Sequence, residues 1–129
     1  MTRAIIDTNF LIRIITNDVP DKKAKALSLL ADFGERDVLF PEAVLAEVVF
    51  VLHSKHNYNL TRHDVFAGVE AVLLMPQLVY DAKLFHRTMQ VYRDTKLDFV
   101  DCLVLAQVKL DRAETLLSFD APLMKALQS

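Results

Sequence analysis

Ala4-Ile5-Ile6-Asp7-Thr8-Asn9 sets the reading of the whole chain. Three apolar residues run directly into an acid, and a short apolar run of this kind predicts a buried strand, most simply in a parallel sheet. Phe10-Leu11-Ile12-Arg13-Ile14-Ile15 follows at once and can turn helical. Asp7 is then expected at the carboxyl end of the first strand, on a strand-to-helix turn. Ligands of open α/β sheets usually bind at that edge. Function therefore turns on which other acids return to it.

Working outward, Asn17, Asp18 and Pro20 mark a turn. Residues 21–33 read as a helix with Ala24, Leu27, Leu30 and Ala31 on one face, stopped by Gly34. Residues 37–40 form a second short strand, closed by Pro41. A very apolar helix runs from 42 to roughly 56 and carries Glu47, and residues 56–59 form a loop. Thr61 has the position of an N-cap, with Asp64 where a capping box has Glu or Gln. The helix it starts extends to about residue 74. Residues 76–79 are a third strand. A helix over 81–95 has Leu84, Phe85, Met89 and Tyr92 as core contacts, and another covers 98–110. Residues 114–118 read as a fourth strand, and Asp120 opens a last short helix through Leu127. Strands alternating with helices imply an α/β fold with a parallel sheet between helices.

A chain of 129 residues is expected to form a single domain with a real core. The 53% hydrophobic residues, with two glycines and four prolines, argue against disorder. One cysteine, Cys102, cannot form an internal disulfide; in its apolar setting it reads as a buried small hydrophobe. Neither a charged-then-apolar leader nor a bilayer-length apolar run is found, so a reducing cytoplasm is the expected location, with no membrane partner. The net charge of −2 argues against a stable nucleic-acid-binding module resting on electrostatics alone. It argues less against a nuclease, because a divalent ion at an acidic site reverses the local sign.

The acids carry the functional reading. Glu47 is embedded in a helix that looks apolar, and therefore buried, on nearly all sides; a charge there is costly unless it is partnered or lies on a narrow exposed edge. Asp98 and Asp101 stand three apart and share a helical face, although an N-cap and an acidic first turn would account for both. Asp120, like Asp7, ends an apolar run and opens a helix, which a plain N-cap would also explain. Taken together they are more telling: carboxylates gathered at one place repel, and some must protonate unless a cation joins them. Hard oxygen ligands of this kind suit Mg²⁺ or Mn²⁺ in an open, watery pocket. His53 and His56, spaced i, i+3, have no cysteine or other ligand to complete a zinc site and read as a solvated helix end.

At these residues the chain resembles the PIN-domain ribonucleases, in particular the VapC toxins of bacterial and archaeal type II toxin–antitoxin pairs. The pieces are Ile6-Asp7-Thr8-Asn9, Glu47 in its apolar helix, Asp98-Phe99-Val100-Asp101 ahead of Leu103 and Ala106, and Leu117-Ser118-Phe119-Asp120. Each is short; their order and spacing together cover nearly the whole chain. The resemblance implies a three-layer α/β/α domain with a central parallel sheet of four to five strands, although no fifth strand can be placed after Asp120. It implies that Asp7, Glu47, Asp101 and Asp120 form the catalytic acidic quartet, with Asp98 an additional acid. Asp7 and Asp101 are the leading metal ligands, Asp98 and Asp120 further ones, and Thr8, Asn9 and Ser118 orient the carboxylates. It further implies Mg²⁺ (with Mn²⁺ accepted) as cofactor and RNA as substrate, a water activated by the metal attacking phosphorus in line. A homodimer and a cognate antitoxin are the implied protein partners, with Phe10 to Ile15 and the helix carrying Glu47 as walls of the antitoxin groove. Arg3, Arg13, Arg87, Arg93 and Lys96 are candidates for holding RNA.

Three other readings compete. An aspartate-nucleophile phosphatase needs a second acid two residues after the first, where this chain has Asn9. A receiver-type signalling domain would pair its acids directly near the first strand. A PIN-like interaction module without catalysis would have no reason to keep like charges together.

Overall fold

The computed structural model describes residues 2–128. It falls into two compact units, Met1–Tyr80 and Asp81–Ser129. The first holds β1 (Ala4–Ile5), α1 (Thr8–Ile15), α2 (Pro20–Ala31), β2 (Val38–Leu39), α3 (Glu42–His53), α4 (Arg62–Leu73) and β3 (Leu78–Val79). The second holds α5 (Ala82–Asp94), α6 (Phe99–Asp111) and α7 (Ala121–Leu127).

In the first unit the three strands are parallel, in the order β1-β2-β3, with Ala4 opposite Val38 opposite Leu78 and Ile5 opposite Leu39 opposite Val79. Two helices separate each strand from the next, and both crossovers step in the same direction across the sheet. With the right-handed connections such crossovers almost always take, all four helices lie on one face. The alternation of side chains agrees: Ile6, Val38, Phe40 and Leu78 are buried, whereas Ile5, pointing the other way, is 68% exposed. The first strand is thus covered on one face and bare at Ile5, not buried on both as its apolar run suggested.

The helices start where side chains can satisfy their first amides. Asp7 Oδ1 accepts the Phe10 N–H at 2.9 Å and opens α1, Thr61 accepts the Asp64 N–H and opens α4, and Pro20 supplies the first turn of α2. Helix α1 buries Leu11, Ile12 and Ile14 and packs on α2, α3 and α4. Gly68 permits the last of these contacts, since a Cβ there would stand 2.8 Å from Ile15 Cγ2. Gly68→Ala is expected to lower the melting temperature: overpacking costs about 1–3 kcal/mol, and the better helix propensity of Ala returns only about 1 kcal/mol. An unchanged melt would mean that Ile15 yields freely.

Sequence phase fails in two of these helices. The buried residues of α2 are Ala26 and Leu30, while Ala24, Leu27 and Ala31 face outward. Gly34 follows the helix end, and its N–H donates to Asp37 Oδ2 at 2.8 Å in the turn that leads to β2. Helix α3 buries Leu45, Val48, Val49 and Leu52 but exposes Ala43, Glu47 and Phe50 along one stripe, so it is not enclosed on all sides.

In the second unit α5 and α6 pack tightly against each other. Leu84, Phe85, Met89 and Tyr92 are buried on α5; Phe99, Cys102, Leu105 and Ala106 are buried on α6. The rings of Tyr92 and Phe99 meet at 6.3 Å, tilted by 58°. Cys102 is a buried free thiol whose Sγ lies 3.6 Å from the Leu97 carbonyl oxygen.

The fourth strand expected at 114–118 is absent, so the sheet has three strands among the described residues, not four to five. Arg112 adopts a left-handed conformation (φ 53°) that ends α6. Beyond it, residues 114–119 make no backbone-to-backbone hydrogen bond among the described residues, and Leu117 and Phe119 are exposed. A strand is stabilised by its pairing, and apolar side chains without a partner edge do not make one.

Candidate active site

The acids of the second unit are placed by helix starts. Asp98 occupies the N-cap position of α6 with extended backbone, yet its carboxylate makes no capping hydrogen bond and stays uncommitted to the helix. Asp101 follows in the first turn, half-buried. Asp120 caps α7, its Oδ1 accepting the Leu123 N–H at 3.0 Å, while its own N–H donates to Ser118 Oγ at 3.0 Å. Ser118 therefore fixes the turn that aims Asp120. Burial pushes the Asp101 carboxyl above its ordinary range, and the negative charges of Asp120 and then Asp98 push it further. Asp98 and Asp120 thus both act on Asp101 within a single unit.

The acids of the first unit are both solvent-exposed. Asp7 stands between β1 and α1, with Oδ1 taken by the Phe10 amide and Oδ2 left over. Thr8 is buried at the first position of α1, and Asn9 is exposed beside it. Glu47 lies mid-helix on the exposed stripe of α3, three residues before Phe50, which is 69% exposed. Its exposure removes the desolvation argument that singled it out. Asp7 also borders an apolar hollow of about 390 Å³ lined by Ile5, Phe10, Leu29 and Phe33, among others.

No group of three or more His, Cys, Asp or Glu among the described residues is placed to hold a metal ion. The donor set still fits a hard divalent cation. Mg²⁺ takes one or two protein carboxylates and keeps several waters, and a carboxyl raised by burial and by two like charges is relieved by a cation. Asp98 and Asp101, neither consumed by a cap, are the groups in the second unit free to meet it. Zinc gains no support at the end of α3, where His53 Nδ1 lies 2.9 Å from the Leu60 carbonyl oxygen.

A family model of the PIN domain matches residues 4–126, through both units. The chain belongs to the PIN-domain family. PIN domains are typically nucleases, and they usually use divalent metals. No curated protein matches this chain. No helix of this PIN domain is long and apolar enough to cross a membrane among the described residues.

Its basic residues divide by what they already hold. Arg3 pairs with Asp37 at 3.2 Å and lies over the Phe33 ring; Arg13 pairs with Asp18 at 3.5 Å; Arg93 pairs with Asp94 at 2.7 Å. Arg87 and Lys96 carry no such bond among the described residues. Lys109, absent from the sequence-derived set, lines a hollow of about 370 Å³ together with Arg87, Arg93, Asp94 and Leu105. Its spacing in sequence was the available signal: Asp101, Leu105 and Lys109 recur every four residues along α6.

Proposed function

We propose that this PIN domain is a metal-dependent endoribonuclease, the toxin of a VapC-type toxin–antitoxin pair. The observation that carries the reading is the family match spanning residues 4–126, which takes in Asp98 and Asp101 at the start of α6 and Asp120 at the start of α7. Asp7, Glu47, Asp101 and Asp120 are the proposed catalytic acids, and Asp98 joins Asp101, Asp7 and Asp120 as a metal ligand. When bound, Mg²⁺ or Mn²⁺ supplies a lower water pKa and neutralises charge on the phosphate. The caps of α1 and α7 fix the carboxylates of Asp7 and Asp120 by one oxygen each, leaving the second oxygen for the site. Asp98 and Asp101 keep both oxygens outside the capping scheme of α6. Thr8, Asn9 and Ser118 are the proposed supporting groups that orient these carboxylates, Ser118 by accepting the Asp120 N–H. The same reading takes residues 1–129 as one three-layer α/β/α domain acting in the cytoplasm, as a homodimer restrained by an antitoxin.

The test is cleavage of total cellular RNA by the purified chain with Mn²⁺ or Mg²⁺, with EDTA, and with Asp7→Asn. Asn keeps the N-cap of α1, since Asn and Asp cap equally well, so the variant folds and reports the charge alone. Discrete fragments that require metal and Asp7 are expected. Full cleavage by folded Asp7→Asn would sink the assignment. The exposure of Ile5, Phe50 and Leu117 favours one alternative, a protein-interaction module without catalysis; binding of Mn²⁺ with no cleavage of any RNA would select it.

A further inference from the structure

In the second unit α5, α6 and α7 together line the hollow of about 370 Å³. Arg87 and Lys109 stand on its walls, from α5 and α6, and neither is engaged in an ion pair or hydrogen bond among the described residues. Arg93 is also present, but its guanidinium is spent on Asp94. Leu105 and Ala126 contribute apolar surface between the polar groups, and Gln90 adds an amide. Two uncommitted cations on facing helices, in a chain of net charge −2, make this hollow a local exception to the overall sign.

Helix α6 ties the hollow to the acids. Asp101, Leu105 and Lys109 follow one another at four-residue steps, so they lie along one stripe of the helix. Eight residues of α-helix span about 12 Å. One end of the stripe carries Asp101; the other carries Lys109, which faces Arg87 across the hollow, two cations that need an anion. We infer that the Arg87–Lys109 hollow is a phosphate-backbone subsite for single-stranded RNA, holding the strand beyond the phosphate presented to Asp101. The assignment rests on the nuclease reading for the identity of the polyanion. An acidic protein segment is the poorer fit, because Asp98, Asp101 and Asp120 would repel it where it leaves the hollow.

The subsite is tested by the anisotropy of a short fluorescein-labelled single-stranded RNA, titrated with the full chain in EDTA so that binding is read without turnover. Each phosphate contact on a single strand adds about 0.7 to the slope of log affinity against log salt. Arg87→Gln and Lys109→Gln are each expected to weaken binding several-fold at low salt and to lower that slope by about 0.7, and the double variant by about 1.4. Lys22→Gln and Lys25→Gln, on exposed α2 positions, serve as charge-matched controls and should leave both unchanged. An unaltered slope in the double variant overturns the subsite. So does competition by poly-glutamate that depends on Arg87 and Lys109 while RNA binding does not. Cleavage of total RNA with Mn²⁺ separates the two claims. RNA held through Arg87 and Lys109 but never cut keeps the subsite and removes the nuclease; RNA cut with an unchanged slope does the reverse.

Discussion

Asp101→Asn is expected to make the metal-free protein more stable at neutral pH while removing RNA cleavage. Burial and the charges of Asp120 and Asp98 raise the Asp101 carboxyl in the folded chain. A raised acid is worse off ionised when folded than when unfolded, so stability is highest below the ordinary aspartate value and falls as pH rises through the raised one. The neutral amide escapes that loss. In EDTA the variant should melt above wild type at pH 7, and the gap should close near pH 3, below the ordinary value of about 3.9. Added Mn²⁺ should reverse the ranking. A ligand at one hundred times its dissociation constant stabilises by about 2.7 kcal/mol, a gain the variant forgoes. For activity, groups that merely support metal ligands cost about 10–100-fold when removed, so a direct ligand should cost more than about 100-fold. Cleavage at the wild-type rate by Asp101→Asn would remove Asp101 from the site.

Phe85→Ala is expected to cost about 3–5 kcal/mol, the largest stability effect among the substitutions considered. Phe85 is 1% exposed on α5, and the contact of α5 with α6 is the densest between any two elements. Against a typical total of about 5–15 kcal/mol, this removes about a fifth of the stability or more. Urea melts followed by circular dichroism check it. A loss below about 1 kcal/mol would mean that α5 and α6 repack around the cavity. Because α6 carries Asp98 and Asp101, the variant should also lose Mn²⁺ binding as temperature rises, well before wild type does.

The sequence was legible where local chemistry has one solution. An apolar run ending in an acid had to place Asp7 at a strand end and helix start, and Thr61 and Asp120 had to cap. It was ambiguous where several faces of a helix are apolar. Helix α2 offers apolar residues at 24, 26, 27, 29, 30 and 31, so sequence alone cannot choose Ala26 and Leu30 as the buried pair. In α3 nearly every residue is apolar, and only tertiary packing decides that the Ala43–Glu47–Phe50 stripe faces water. The strand expected at 114–118 failed for a different reason: pairing is a property of two segments, and the sequence of one does not supply the other. At the acids, spacing exposed the Asp98–Asp101 pair, but not that Asp98 would leave the cap unmade.

The stretch between α6 and α7 has a consequence for how durable the acidic group is. Residues 114–119 make no backbone-to-backbone hydrogen bond among the described residues, so their amides should exchange with deuterium at close to the rate of an unstructured peptide, without any helix opening. The exposed bond after Arg112 is a ready point for trypsin. Asp98 and Asp101 are fastened to the densely packed α6, whereas Asp120 is joined to it by a stretch that a protease can sever and by the packing of α7 with its buried Leu123. One nick would then leave Asp120 in place only through the packing of α7, and where that gives way Asp101 would lose the push of the Asp120 charge while keeping the larger push of burial.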